Sequence, residues 1–167
     1  MRNESAITLR PTTIEDLEWL FRFQLDPEAN HLAAFISGDP ADKTAYINKY
    51  QKLLSDPTIN NQTILVGDVI VGSIAKFMMR GDAEITYWID RSCWNQGIAT
   101  QALQQFLQLE PSRPLYGRTA FDNIGSQRVL EKCGFVKVGT DTGYANARQA
   151  NIEEYIYKKA GKNSGPD

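Results

Sequence analysis

Apolar and polar residues alternate along this chain with two different periods, and the periods locate its elements. Residues 7–10 alternate like a half-buried strand that stops at Pro11, which has no N–H for a continuing ladder. Thr12 or Thr13 then caps a helix, because Glu15 and Asp16 follow them at the capping-box spacing. Leu17, Leu20, Phe21 and Leu25 recur at helical spacing, and Pro27 closes or interrupts that segment. A second helix is predicted over 42–54, with Tyr46, Ile47, Tyr50, Leu53 and Leu54 on one face.

Beyond Asp56-Pro57 the period shortens. Residues 63–66 and 69–71 flank Gly67-Asp68, a hairpin signal whose turn tolerates positive φ. The second strand continues to 77, with Gly72 weakening it or marking a bulge. Arg80-Gly81-Asp82 turns the chain into a third strand over 83–90. Ile98, Ala99, Ala102, Leu103, Phe106 and Leu109 make one apolar face of a helix over 97–109. A strand over 115–121, a helix over 124–133 and strands over 135–139 and 152–158 complete the chain, with 141–150 read as a polar loop. The pattern predicts an α/β class with a mixed sheet of six to seven strands and about four helices. A parallel pair flanking the Gly97 helix requires a right-handed crossover.

Composition narrows the function. The chain has 167 residues, 42% hydrophobic and 23% charged, which suits one domain over 1–160 and a disordered tail over 161–167. A net charge of −2 argues against gripping nucleic acid by its phosphates. Cys93 and Cys133 are too few for a disulfide framework, and a single histidine, His31, excludes His-rich metal sites, so no metal is expected. The first residues lack the apolar run of a secretory signal, and no stretch approaches a membrane span. The expectation is a cytoplasmic protein, monomer or homodimer, with no membrane partner.

The candidate chemistry lies in two loop–helix junctions. Trp94, Asn95, Gln96 and Gly97 lead from a strand into a helix beginning Ile98, Ala99, Thr100. Free N–H groups and the helix dipole favour an anion there, although a glycine that merely turns the chain before a packing helix reads the same way. The pattern is neither G-x-G-x-x-G nor G-x-x-x-x-G-K-[ST]. Asn123 and Ser126 open the next helix, either as caps or as hydrogen-bonding ligands.

Together the two junctions carry a resemblance. Trp94-x-x-Gly97-x-Ala99 resembles the pyrophosphate motif of the GNAT superfamily of acyl-CoA N-acetyltransferases. Asn123-x-x-Ser126, running on to Gly134-Phe135, is similar to its second cofactor motif. Arg10-Pro11, the Asp16-Leu17 helix and Asp26-Pro27 also fit the branch that contains the ribosomal-protein alanine N-acetyltransferases, and the likeness spans residues 7–159. It implies that acetyl-CoA is the cosubstrate. Trp88, Ile89 and Asp90 would lie along the pantetheine, residues 94–100 would hold the pyrophosphate, Asn123 would reach the pantetheine, and Ser126 would sit near the thiol or the adenosine arm. Trp94 departs from the usual Gln or Arg.

The implied reaction is direct attack of a primary amine, of a protein N-terminus or a small molecule, on the thioester. Glu84 is the candidate base, or else a solvated carboxylate on a strand face. Leu130 stands where relatives often carry a tyrosine acid, which leaves Ser126 or water to protonate the thiolate. The alternative is a non-catalytic acyl-CoA-binding module. Cys93 reads as a loop thiol and Cys133 as a buried one. His31, in the segment that lids the acceptor site in this fold, reads as a surface residue or a pocket wall. Trp19, Phe21, Phe23 and Tyr46 divide between core and acceptor walls, and Tyr144 faces the acceptor. Asp39, Asp42, Glu84, Asp141, Glu153 and Glu154 are the carboxylates available to a cationic acceptor.

Overall fold

The computed structural model describes residues 6–36 and 38–161. Strand β1 (Ile7–Pro11) leads through a 3-10 turn (Ile14–Asp16) into α1 (Leu17–Phe23), followed by α2 (Pro27–Ala33) and α3 (Lys43–Leu54). A meander of β2 (Asn60–Val66), β3 (Val69–Met79) and β4 (Asp82–Ile89) comes next. Helix α4 (Ile98–Leu109), β5 (Leu115–Ala120), α5 (Ile124–Lys132), β6 (Val136–Ala145) and β7 (Ala150–Lys159) follow. The seven strands form one mixed sheet in the order β1-β2-β3-β4-β5-β7-β6, with β4 and β5 parallel around α4 and the other neighbours antiparallel. Leu103 and Phe106 of α4 and Leu130 of α5 are fully buried with Ile64, Ile74, Leu115 and Tyr157 of the sheet.

Several expectations need correction. The helical run is interrupted ahead of Pro27 as expected, but Pro27 also begins a helix that the pattern does not predict: Asp26 caps it by accepting from the Ala29 N–H, and Pro27 occupies the first turn, where its missing N–H costs nothing. The polar stretch 141–150 is not a loop, because β6 runs to Ala145 and β7 starts at Ala150. Most of β6 is exposed on both faces as the last strand of the sheet, so it carries no apolar alternation to read. Leu109 is half exposed in the last turn of α4, and Trp19 lies on the surface beneath the Arg22 guanidinium. The proposed tail, apart from Gly161, falls outside the described residues. No described helix is long and apolar enough to cross a membrane.

Asp16 ties β1, the 3-10 turn and β2 together. Its carboxylate, almost fully buried, accepts from Arg10 Nη1 at 2.6 Å and Nη2 at 2.9 Å, from the Thr13 N–H at 2.9 Å and from the Thr63 hydroxyl at 2.9 Å. Burial alone would raise its pKa, but these hydrogen bonds outweigh burial and hold it at about 2. A folded pKa below the unfolded one means stability that is present above the unfolded value and lost as pH falls toward the folded value. Urea midpoints should therefore fall between about pH 4 and about pH 2, and Asp16→Asn should flatten that part of the profile while lowering stability at neutral pH.

Candidate active site

β4 and β5 part soon after they meet. They pair only through Ala83–Leu115, Glu84–Tyr116 and Ile85–Gly117. Beyond that point β4 continues along β3 to Ile89, while the end of β5 pairs with β7. Among the described residues, the edge of β4 from Thr86 to Ile89 that would face β5 thus has no strand partner. Gly72 supports this course from below. It lies at a bulge in the β2–β3 ladder, and a Cβ there would run into the Trp88 carbonyl oxygen.

Two cavities open at the gap, of about 790 and 710 Å³, and both are lined by Ala33, Tyr87, Trp88, Asn123 and Ser126. The smaller one runs to the start of α4. Trp88, Ile89, Trp94, Asn95, Gly97, Ile98, Ala99, Thr100, Asn123 and Ser126 all line it. Gly97 holds φ +77° and Asn95 φ +64°; at Gly97 the angle is what requires glycine, since a Cβ would have room. Gly97 provides no side-chain cap, so the first N–H groups of α4 have no helical acceptor. Asp90 and Gln96 are not on this wall: Asp90 accepts from the Ser92 hydroxyl, and Gln96 donates to the Ser92 carbonyl. The Trp94 indole N–H is spent on the Ile89 carbonyl at 2.9 Å. Arg128 and Lys132, one turn apart on α5, also line the cavity. Their four-residue spacing was the available signal for this basic stripe.

Asn123 caps α5 by accepting from the Ser126 N–H at 3.2 Å, and its amide donates to the Leu32 carbonyl at 3.3 Å, so it also ties α2 to α5. The Tyr87 and Ser126 hydroxyls lie 2.7 Å apart, and burial pushes the Tyr87 phenol well above its ordinary pKa. The sequence does not mark Tyr87, because a tyrosine on a strand carries no signature. Leu130 is buried, with one methyl 2.9 Å from where a Cβ on Gly117 would stand.

The larger cavity holds the charged groups. Glu84 is 5% exposed, which excludes a solvated carboxylate, and accepts from Arg118 Nε at 3.2 Å. Arg118 also pairs with Glu154 at 3.2 Å and Asp141 at 3.5 Å. Burial raises the Glu154 pKa, and the pull of Arg118 does not cancel it. Phe23, Phe35, Tyr46, Phe77 and Trp88 supply aromatic walls, and Asp39 and Asp42 stand on the α3 side. Phe21 is core. Glu153, Tyr144 and His31 line neither cavity, and Tyr144 and His31 are exposed. Cys93 is half-buried on the smaller cavity, and burial pushes the Cys133 thiol up. Among the described residues no group of His, Cys, Asp and Glu could hold a metal ion.

Since the Gly72 contact is with backbone, Gly72→Ala must displace Trp88 or Gly72 itself. A loss of about 1–3 kcal/mol in urea unfolding is expected, against almost none for Gly139→Ala, where a Cβ meets nothing within 4 Å.

Residues 6–136 match the family model described as the acetyltransferase (GNAT) domain. The chain is 25% identical over 165 residues to the uncharacterized N-acetyltransferase p20 of Bacillus licheniformis, covering 90% of each. Its fold is shared with the ribosomal-protein-S5-alanine acetyltransferase of Vibrio fischeri (TM-score 0.76, 16% identity, 99% of this chain and 98% of that one). It is also shared with the microcin C7 self immunity acetyltransferase MccE, solved with acetyl-CoA and AMP (TM-score 0.75, 18% identity, 95% and 93%).

Proposed function

The chain belongs to the acetyltransferase (GNAT) family, and we propose that it moves the acetyl group of acetyl-CoA onto a primary amine of a protein N-terminus or small molecule by direct attack. The observation that carries this reading is the unpaired edge of β4 beside the uncapped start of α4, with a second cavity meeting the first at Tyr87 and Ser126. The activity is assigned to residues 1–160 as one domain.

The amides of pantetheine pair with the free edge of β4 as an added strand would. The pyrophosphate takes the N–H groups that open α4, after the left-handed turn at Gly97, and Arg128 and Lys132 add positive charge along the same wall. Trp94 serves by packing, since its N–H is already used. Asp90 and Gln96 act on the loop through Ser92 and not on the cofactor. The thioester then lies near Ser126, where the two cavities join.

The amine enters through the larger cavity as an ammonium ion, which is no nucleophile until it loses a proton. Glu84, on the wall of that cavity, takes it directly or through one water, and Arg118 fixes the carboxylate in place. The nitrogen lone pair forms the new bond to the carbonyl carbon, the nitrogen sheds its second proton to solvent, the C–S bond breaks, and the electron pair leaves on sulfur. Ser126, backed by Tyr87, donates a hydrogen bond to that thiolate. Both hydroxyls are weaker acids than a thiol of pKa about 8.5, so they hold the charge while solvent returns the proton.

CoA release in the presence of acetyl-CoA and a panel of amines tests the reading. Release no faster than background hydrolysis, with acetyl-CoA bound, would identify a non-catalytic binding module. Glu84→Gln should lower kcat by about 10²–10⁴-fold, with acetyl-CoA affinity hardly changed. A kcat within about threefold of the parent would rule Glu84 out as base.

A separate measurement needs no acceptor. The thiol of bound CoA, followed by thiolate absorbance against pH, should titrate below its free value, and Tyr87→Phe should move it up by about one unit. An unchanged titration would remove Tyr87 from the site.

A further inference from the structure

We infer that Arg128 and Lys132 hold the 3′-phosphate of CoA, which makes this chain selective for free CoA thioesters over pantetheine donors that lack that group. The inference rests on the acetyl-CoA reading above and assigns the end of the cofactor that the start of α4 leaves uncovered.

The first argument sets phosphates against donors. CoA carries a diphosphate and, apart from it, a phosphomonoester on the ribose that is almost doubly ionised at neutral pH. The N–H groups that open α4 suit the diphosphate, and they lie within one helical turn. The loop and first turn over 94–100 contain no Lys or Arg, and the Trp94 N–H is already used. The third phosphate therefore needs a partner from another element.

The second argument is which charges on the wall are committed. Four charged residues line the smaller cavity: Glu28, Asp122, Arg128 and Lys132. Each acid is neutralised by an arginine from outside the cavity, Glu28 by Arg91 at 3.0 Å and Asp122 by Arg148 at 2.8 Å. The two bases differ. Among the described residues, neither the Arg128 nor the Lys132 side chain makes an ion pair or a hydrogen bond. Glu131, the remaining charged residue of α5, meets the Tyr157 hydroxyl at 3.4 Å and does not line the cavity. The wall is therefore positive through Arg128 and Lys132 alone.

Placement agrees with charge. The two bases are one turn apart on α5, so their side chains share a face. Like charges at that spacing repel, and an anion between them removes the repulsion. Cys133, next to Lys132, donates to the Thr100 carbonyl at 3.6 Å, which sets this end of α5 against the first turn of α4. With the thioester near Ser126 in the first turn of α5, the last turn of the same helix stands toward the nucleotide. A guanidinium fork and a compact ammonium both suit a phosphomonoester, which accepts through three oxygens. A thioester on the phosphopantetheine arm of a carrier protein has no such group.

Calorimetry of CoA and 3′-dephospho-CoA, which differ by this phosphate alone, tests the assignment. CoA is expected to bind about tenfold to a hundredfold more tightly, by a margin that narrows as salt is raised. Arg128→Gln and Lys132→Gln should each narrow the margin, and together they should close it. Glutamine keeps the helix propensity of both residues, and a melting temperature no lower than the parent's checks the fold. Equal affinity for the two ligands in the parent protein overturns the proposal. So does a margin that survives the double substitution, or an equal loss for both ligands, which would put the bases on the diphosphate. Failure of either ligand to bind at all would sink the acetyl-CoA reading itself, and this inference with it.

Discussion

Everything at the site depends on β4 and β5 ceasing to pair after Ile85 and Gly117. A backbone without a strand partner must find other partners, and an unpaired strand edge is open to a ligand that can act as a strand. The gap also sets the positions of α4 and α5, which start from the loops after β4 and β5 and present their first turns to the same opening. Gly72 keeps the gap in shape, because only a residue without a Cβ lets β4 settle so closely on β3.

The two sides of the gap differ in electrostatics for a simple reason. On the cofactor side the groups are helix N–H donors and the side chains of Arg128 and Lys132, all suited to phosphate. On the other side, parallel register sets Glu84 beside Tyr116, next to Arg118, and antiparallel pairing with β7 brings Glu154 into reach. The polarity is therefore built from strand register. The basic wall and the acidic wall lie in separate cavities that adjoin at Tyr87 and Ser126.

The two hydroxyls at that junction come from different elements. Leu130 of α5 packs against Gly117 in the core. Tyr87 reaches Ser126 from β4. Nothing in the spacing of Tyr87 along the chain distinguishes it from a core aromatic, since the contact spans 39 positions of sequence.

Local chemistry made much of this protein legible from the sequence. The Gly67-Asp68 hairpin, the apolar stripe of α4, the caps at Asp42 and Asn123 and the two loop–helix junctions all depend on residues within a few positions of one another. What failed there failed for local reasons also: Asp26-Pro27 reads equally as a stop or a start, and an exposed last strand such as β6 carries no alternation. Tertiary structure alone decided the rest. Arg118 among three carboxylates and the burial of Glu84 arise from contacts between distant segments. Hydrophobic period fixes which face of a strand is buried, but which charged side chains then share that burial is set by register between strands, and register is a property of the assembled sheet.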